Sequence, residues 1–245
     1  MLYNGDCLEI LSQLETDSID MLFVDLPYGT TKCKWDICIS LESLWEQYNR
    51  VCKANAAMVF TSAQPFTSVL INSNIKNFKY TWVWEKSKAS GYLNAKNMPM
   101  KAHEDICVFY RKPPTYNPQM WKGEPYNKGK AHRPTEVYGK QVATLVKNDS
   151  GMRYPRTVQY FKTAESEGKT THPTQKPIAL CEYFIKTYSN VGDTILDNTM
   201  GTGATGVAAI RNSRNFIGIE LEEKYFQIAK ERIEKEKNNN QPLDK

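Results

Sequence analysis

The feature that most constrains this chain is a short apolar run, residues 19–24, that stops at Asp25-Leu26-Pro27-Tyr28. A run of that length reads as a parallel strand buried on both faces, and the residues after it mark where the chain emerges at the sheet edge. Helix-like and strand-like segments follow in turn. Leu41, Leu44, Trp45, Tyr48 and Val51 fall at helical spacing, residues 56–60 are strand-like, and 66–75 form a helix behind the start signal Pro65. Residues 80–84 and 106–110 read as further strands. The rhythm returns late in the chain, with a helix at 178–188, a strand at 193–196 leading to Asp197, and a small-residue helix at 205–211. A strand at 215–219 then ends at Glu220, an amphipathic helix covers 222–237, and the tail 238–245 is polar. This succession predicts an α/β fold, a mostly parallel twisted sheet with helices on both faces.

The middle breaks the pattern. Over 112–171 periodicity fades while Pro, Gly, Lys, Arg and Tyr become frequent. From Arg111 to Arg156 ten basic residues face three acidic ones, an excess larger than the +5 of the whole chain, so the remainder is near neutral or acidic. A long irregular basic segment inside a compact domain usually serves as a binding surface, and a polyanion is the partner it suits; the bland alternative is a solvated insertion. Composition bounds the rest. With 245 residues, 40% hydrophobic and 24% charged, the chain can bury one α/β core and a modest insertion. The six cysteines include no C-x-x-C pair and no zinc-ligand spacing, so we expect reduced thiols and no metal. No apolar run approaches the ~20 residues needed to span a bilayer, and residues 1–6 lack the character of a signal peptide, which predicts a soluble cytoplasmic protein.

Residues 197–206, from Asp197 through Gly201 and Gly203 to Gly206, place a glycine-rich turn between strand and helix. Glycines there let the backbone pass close to a nucleoside at the carboxyl edge of a sheet, and Glu220, ending the next strand, can accept from ribose hydroxyls. A nicotinamide cofactor, and hence an oxidoreductase, is a rival on this pattern alone. However, Asp197 stands four positions before Gly201, where a carboxylate would repel a pyrophosphate. It suits instead a cationic ligand carrying an ammonium and a sulfonium, which S-adenosylmethionine is.

The loop at 25–28 suggests the reaction. An exocyclic base amine is a poor nucleophile because its lone pair is delocalised into the ring. Two acceptors that hold its hydrogens draw the nitrogen toward tetrahedral geometry. The Asp25 carboxylate and the Leu26 carbonyl can be those acceptors; Pro27 keeps Leu26 extended, and Tyr28 offers a ring on which a base can stack.

These segments resemble the amino-group DNA methyltransferases. Asp25-Leu26-Pro27-Tyr28 is similar to their D-P-P-Y motif, and the turn at 197–203 to their D-x-F-x-G-x-G motif. His172-Pro173-Thr174-Gln175-Lys176-Pro177 resembles their H-P-T-Q-K-P segment, Gly5-Asp6-Cys7 their N-terminal G-D-C, and His103-Glu104 with the strand behind it their H-E segment. The catalytic motif precedes the cofactor motif, as in the circularly permuted β group. The resemblance implies a Rossmann-like methyltransferase fold, with 1–111 and 172–245 as catalytic domain and 112–171 as target-recognition region. It implies that Asp25, Leu26, Pro27 and Tyr28 hold the base, that Asp6 accepts from the adenine amino group of the cofactor with Cys7 beside it, and that Glu220 binds ribose. Asp197, Thr199, Gly201 and Gly203 would shape the methionine end, with Thr174 and Lys176 near the cofactor carboxylate. Lys128, Lys130 and Arg133 would meet phosphates of double-stranded DNA. Dimers are common in the β group, so a homodimer is compatible. The chain departs from the pattern at Leu26, which replaces the first proline, and at Asn198 and Met200, which flank Thr199 where the family usually has an aromatic. Asp at the first loop position is commoner in adenine-N6 than in cytosine-N4 enzymes, which favours adenine. The target atom is inaccessible in a stacked duplex, so the base must flip out.

Overall fold

The second strand, β2 (Ile19–Val24), shows why its sequence is apolar on successive residues. Leu22 and Val24 pack into one core cluster and Met21 and Phe23 into another, so the strand is buried on both faces. The computed structural model describes residues 1–29, 37–131, 136, 137, 139, 142, 144–168 and 175–240. Before β2 come β1 (Leu2–Asn4) and α1 (Cys7–Gln13), the latter capped by Asp6. After it come α2 (Leu41–Val51), β3 (Cys52–Ser62), α3 (Phe66–Ser73), β4 (Phe78–Ser90) and β5 (Lys101–Phe109). Four short strands follow: β6 (Trp121–Lys122), β7 (Tyr126–Ala131), β8 (Thr144–Asn148) and β9 (Met152–Arg153). The chain closes with β10 (Val158–Phe161), α4 (Ile178–Tyr188), β11 (Thr194–Asp197), α5 (Ala204–Arg211), β12 (Asn215–Glu220) and α6 (Glu223–Asn239).

Eight strands form one sheet in the order β1-β12-β11-β2-β3-β5-β4-β10. Every neighbouring pair is parallel except the two that involve β5, which runs against both β3 and β4. Leu11 of α1, Leu44 and Tyr48 of α2 and Leu70 of α3 fill the core on one face. Phe184 and Tyr188 of α4, Val207 and Ala208 of α5 and Ile233 of α6 fill the other. The sheet order turns back between β11 and β2, since β11 continues to β12 on one side and β2 to β3 on the other. Ligands of open α/β sheets bind at such a switch point, outside the carboxyl ends of the strands.

Two compact units divide the chain: 1–117 with 157–245, and 118–156. The separate unit is thus shorter than the 112–171 stretch marked by composition, because β10 within that stretch pairs with β4 in the main sheet. The shorter unit holds two two-stranded antiparallel sheets, β6–β9 and β7–β8. Its strands escape a periodicity reading because such ribbons bury neither face fully, so no apolar alternation is required. Gly151 (φ +71°) is needed where the chain crosses itself, since a Cβ there would lie 2.2 Å from the Gly123 carbonyl oxygen. No helix among the described residues is long and apolar enough to cross a membrane.

Candidate active site

β2 delivers Asp25 to the sheet edge beside the end of β3, because Val24 pairs with Phe60. There Thr61, the next residue of β3, donates its hydroxyl to Asp25 Oδ1, and Tyr28 OH donates to the same oxygen at 2.8 Å. The Leu26 side chain is buried in the core. Its carbonyl accepts no hydrogen bond from any described residue, and the buried side chain anchors the loop where the family has a proline. The Tyr28 ring stacks on Phe66 at 5.1 Å and 21°, which fixes its plane and covers one of its faces. Burial, with Asp25 next to it, pushes the Tyr28 hydroxyl well above its usual range, so it stays a donor.

Lys176 completes the cluster. Its ammonium lies 2.7 Å from Asp25 Oδ2 and 3.4 Å from Glu104 Oε2, the second an ion-pair contact without hydrogen-bond geometry. Lys86 holds the other Glu104 oxygen at 3.3 Å. Burial of Lys176 alone would lower its pKa, but the Asp25 and Glu104 carboxylates outweigh that and hold it well above the usual lysine range. The result is a chain of alternating charge, Lys86–Glu104–Lys176–Asp25, assembled from β4, β5, the approach to α4 and the loop after β2.

A second cluster lies at the neighbouring strand ends. β1 pairs with β12 so that Asn4 stands opposite Glu220, which brings Gly5, Asp6 and Glu220 to one edge; Gly5 N–H donates to the Glu220 carbonyl at 3.0 Å. Glu220 Oε2 accepts from Gly201 N–H at 2.8 Å and Oε1 from Glu222 N–H at 2.9 Å, tying the glycine turn to the carboxylate. Thr199 donates to the Asp25 carbonyl at 3.0 Å, which joins this turn to the first loop. Asp6 Oδ1 caps α1 through Leu8 and Glu9 N–H, and Cys7 is buried beneath, where desolvation pushes its thiol up.

Asp197 is buried, and that burial raises its carboxyl from 3.8 to about 7, opposed by the Thr205 hydroxyl and the Thr199 N–H and aided by Asp25 and Glu220. Burial raises Glu220 as well. Among the described residues no lysine or arginine pairs with Asp197, Glu220 or Asp6. Gly201 (φ +53°) has, apart from its chain neighbours, no atom of a described residue within 4 Å of where a Cβ would stand. A recess whose carboxylates have no cationic partner among the described residues fits a cationic nucleoside, whose charge would favour their ionised form. Gly203 (φ +77°) lies against α6 instead, where a Cβ would come 3.0 Å from Ala229 Cβ.

The Asp197 carboxyl is protonated in the folded protein over a range in which the unfolded chain is already ionised. Its contribution to stability is therefore complete below about 3.8 and is lost as pH rises through about 7. Denaturant titrations of wild type and Asp197→Asn without cofactor should diverge as pH rises through about 7, the wild type losing more stability than the variant across this window. Parallel curves would sink the assignment.

Of the other residues marked in the sequence, Lys128 and Lys130 lie on β7 of the smaller unit, with the Lys128 ammonium 5.3 Å from the Tyr126 ring centroid. Thr174 and Arg133 fall outside the described residues. Sequence reasoning did not find Thr61, Phe66 or Lys86. Thr61 had one available signal, its place directly after the apolar run 56–60; Glu104 was marked only as part of a motif, with no partner assigned.

An acidic recess at the switch point, joined to a loop of hydrogen-bond acceptors, defines a Rossmann-like group-transfer enzyme of the methyltransferase class. The chain belongs to the N6/N4 methyltransferase family described as DNA methylase, whose model matches residues 19–231. It is similar to the Type II methyltransferase M2.DpnII of Streptococcus pneumoniae, at 29% identity over 98% of this chain and 91% of that one. It is also similar to the Type II methyltransferase M.HpaI of Haemophilus parainfluenzae, at 26% identity over 98% and 76%. A crystal structure of an M1.HpyAVI–SAM complex superposes with a TM-score of 0.66 at 26% identity, covering 95% of this chain and 98% of that one. The PvuII cytosine-N4-specific DNA methyltransferase shares the fold, with a TM-score of 0.67 at 17% identity over 97% and 91%. The chain is a DNA methyltransferase, and S-adenosylmethionine is its methyl donor.

Proposed function

We propose that the chain methylates N6 of an adenine flipped out of double-stranded DNA at a specific sequence. The observation that carries this reading is the loop at 25–28, where the Asp25 carboxylate is oriented at the switch point by Thr61, Tyr28 and Lys176 and the Leu26 carbonyl takes no hydrogen bond from any described residue. S-adenosylmethionine supplies a methyl group on a cationic sulfur. Asp197 and Glu220 would hold it, Glu220 through the ribose and Asp197 through its cationic end, with Asp6 accepting from its adenine and Gly201 giving it room.

Asp25 and the Leu26 carbonyl each accept one hydrogen of the target amine, which localises its lone pair. Tyr28, held by Phe66 and by its bond to Asp25, offers its ring edge and plane beside the Asp25 carboxylate as the aromatic contact for the base. As the nitrogen–carbon bond forms, the methyl–sulfur bond breaks and its electron pair stays on the sulfur; the amine gives up one proton, and Asp25 is the acceptor within reach. Lys176 acts through Asp25, fixing Oδ2, and is a positioning residue in this reading. Adenine is favoured over cytosine because the first loop residue is Asp.

Recognition belongs to 112–171, chiefly the compact unit 118–156, where Lys128, Lys130 and Arg133 would take phosphates while other side chains reach base edges. The protein would work in the cytoplasm, without a metal. Sequencing modified bases in DNA from cells that express the chain should reveal N6-methyladenine in one short sequence context. Modification of cytosine N4 alone would overturn the choice of base, and unmodified DNA would overturn the activity.

A further inference from the structure

The connection between β4 and β5 has no part in the site just described, yet it leaves the same edge of the sheet. Asp105 of β5 pairs with Ser62, the neighbour of Thr61, and Glu104 reaches Lys176. Beyond that point β4 continues from Glu85 to Ser90, paired with β5 through Glu85–His103 and Ser90–Lys101. At strand rise those residues carry the tip roughly 15 Å past the edge.

The tip is ordered by its own backbone. Gly91 (φ +88°) turns the chain, Tyr92–Asn94 forms a single 3-10 turn, and Asn94 accepts from Asn97 and Met98 N–H at 2.8 and 3.0 Å. What this small frame presents is apolar. Tyr92 is 73% exposed and Leu93 81%, with Met98 and Met100 exposed behind them. Residues 86–101 contain four lysines and no acidic residue. Lys86 and Lys88 are held by Glu104 and Glu165, whereas Lys96 and Lys101 have no ion pair among the described residues.

We propose that this hairpin is a DNA-entering wedge, with Tyr92 and Leu93 inserted against the base stack beside the flipped nucleotide and Lys96 and Lys101 on the flanking phosphates. Extracting a base leaves a gap whose faces are apolar, and large apolar side chains lower the cost of unstacking by filling it. The tip is held by its own backbone hydrogen bonds, is apolar, and is followed by two lysines with no ion pair among the described residues, a combination that suits insertion into a polyanion. A contact between two copies fits less well, because residues 86–101 carry four lysines and no acidic residue, so two such tips brought together would repel, whereas DNA phosphates would be attracted. The inference rests on the DNA methyltransferase reading.

Transfer of radiolabelled methyl groups into unmethylated genomic DNA tests it, with wild type, Tyr92→Ala/Leu93→Ala and Lys96→Gln/Lys101→Gln compared. The apolar double variant should lose about tenfold in kcat/KM for DNA. The lysine variant should raise KM for DNA and flatten its log–log salt dependence by about two. Cofactor affinity by calorimetry and the unfolding midpoint should not move in either, since these side chains are exposed. Labelled DNA with unchanged kinetics in both variants overturns the wedge, as does a change confined to self-association in sedimentation, which assigns the tip to a second copy. Absence of label with wild type overturns the methyltransferase reading and the wedge with it.

Discussion

Asp25→Ala should lower kcat for methyl transfer by about a thousandfold, the upper end of what removing one preorganised electrostatic group costs. Affinity for S-adenosylmethionine, measured by calorimetry, should stay within about twofold, because the carboxylates of the cofactor recess are on other strands. The size of the effect follows from how fully Asp25 is engaged. Oδ1 accepts from Thr61 and Tyr28, and Oδ2 from Lys176, so the carboxylate is oriented before any base arrives. Alanine removes an acceptor of the amine and also frees Tyr28, whose hydroxyl would lose its principal partner. Water cannot substitute, since a mobile water must reorganise as charge develops whereas the fixed carboxylate does not. Turnover at the wild-type rate would remove Asp25 from the mechanism.

Lys176→Met should separate the role that the family resemblance implies for this residue from the one its contacts suggest. By resemblance Lys176 would approach the cofactor carboxylate, but its ammonium lies 2.7 Å from Asp25, with Glu104 at 3.4 Å. If it acts through Asp25, methionine should lower kcat about a hundredfold while cofactor affinity holds within about twofold, and Lys176→Arg should recover part of the rate. A loss of cofactor affinity of tenfold or more at unchanged kcat would place it on the cofactor instead. Breaking a buried ion pair costs roughly 3–5 kcal/mol. The Lys176 side chain is 12% exposed but Asp25 29%, so the stability loss in denaturant should fall near the lower end of that range.

Parts of the fold were legible because burial alone dictates their pattern. The helix expected over 178–188 is α4, and the run 19–24 is β2, since each is packed along a continuous apolar stripe or on two faces. β4 extends beyond the expected 80–84 to Ser90 because its second half projects past the core and needs no apolar alternation. β5 runs antiparallel to both neighbours, and side-chain alternation is the same in either direction, so no local pattern could reveal it. The exposed tip at Tyr92 and Leu93 was invisible for the opposite reason, since an apolar residue in a sequence is read as buried until the structure shows otherwise.

By itself the sequence determined the strand-end carboxylates Asp25, Asp197 and Glu220, the glycines that follow Asp197, and the order of the two motifs. Those are local properties, set by where apolar runs stop and by which residues tolerate a turn. The tertiary structure decided which of these groups meet. Lys176 pairs with Asp25 across 151 residues, Thr199 with the Asp25 carbonyl across 174, and Gly201 with Glu220 across 19. Such pairings depend on the order β12-β11-β2-β3-β5, which sheet register and packing on both faces impose and no segment of the chain encodes alone.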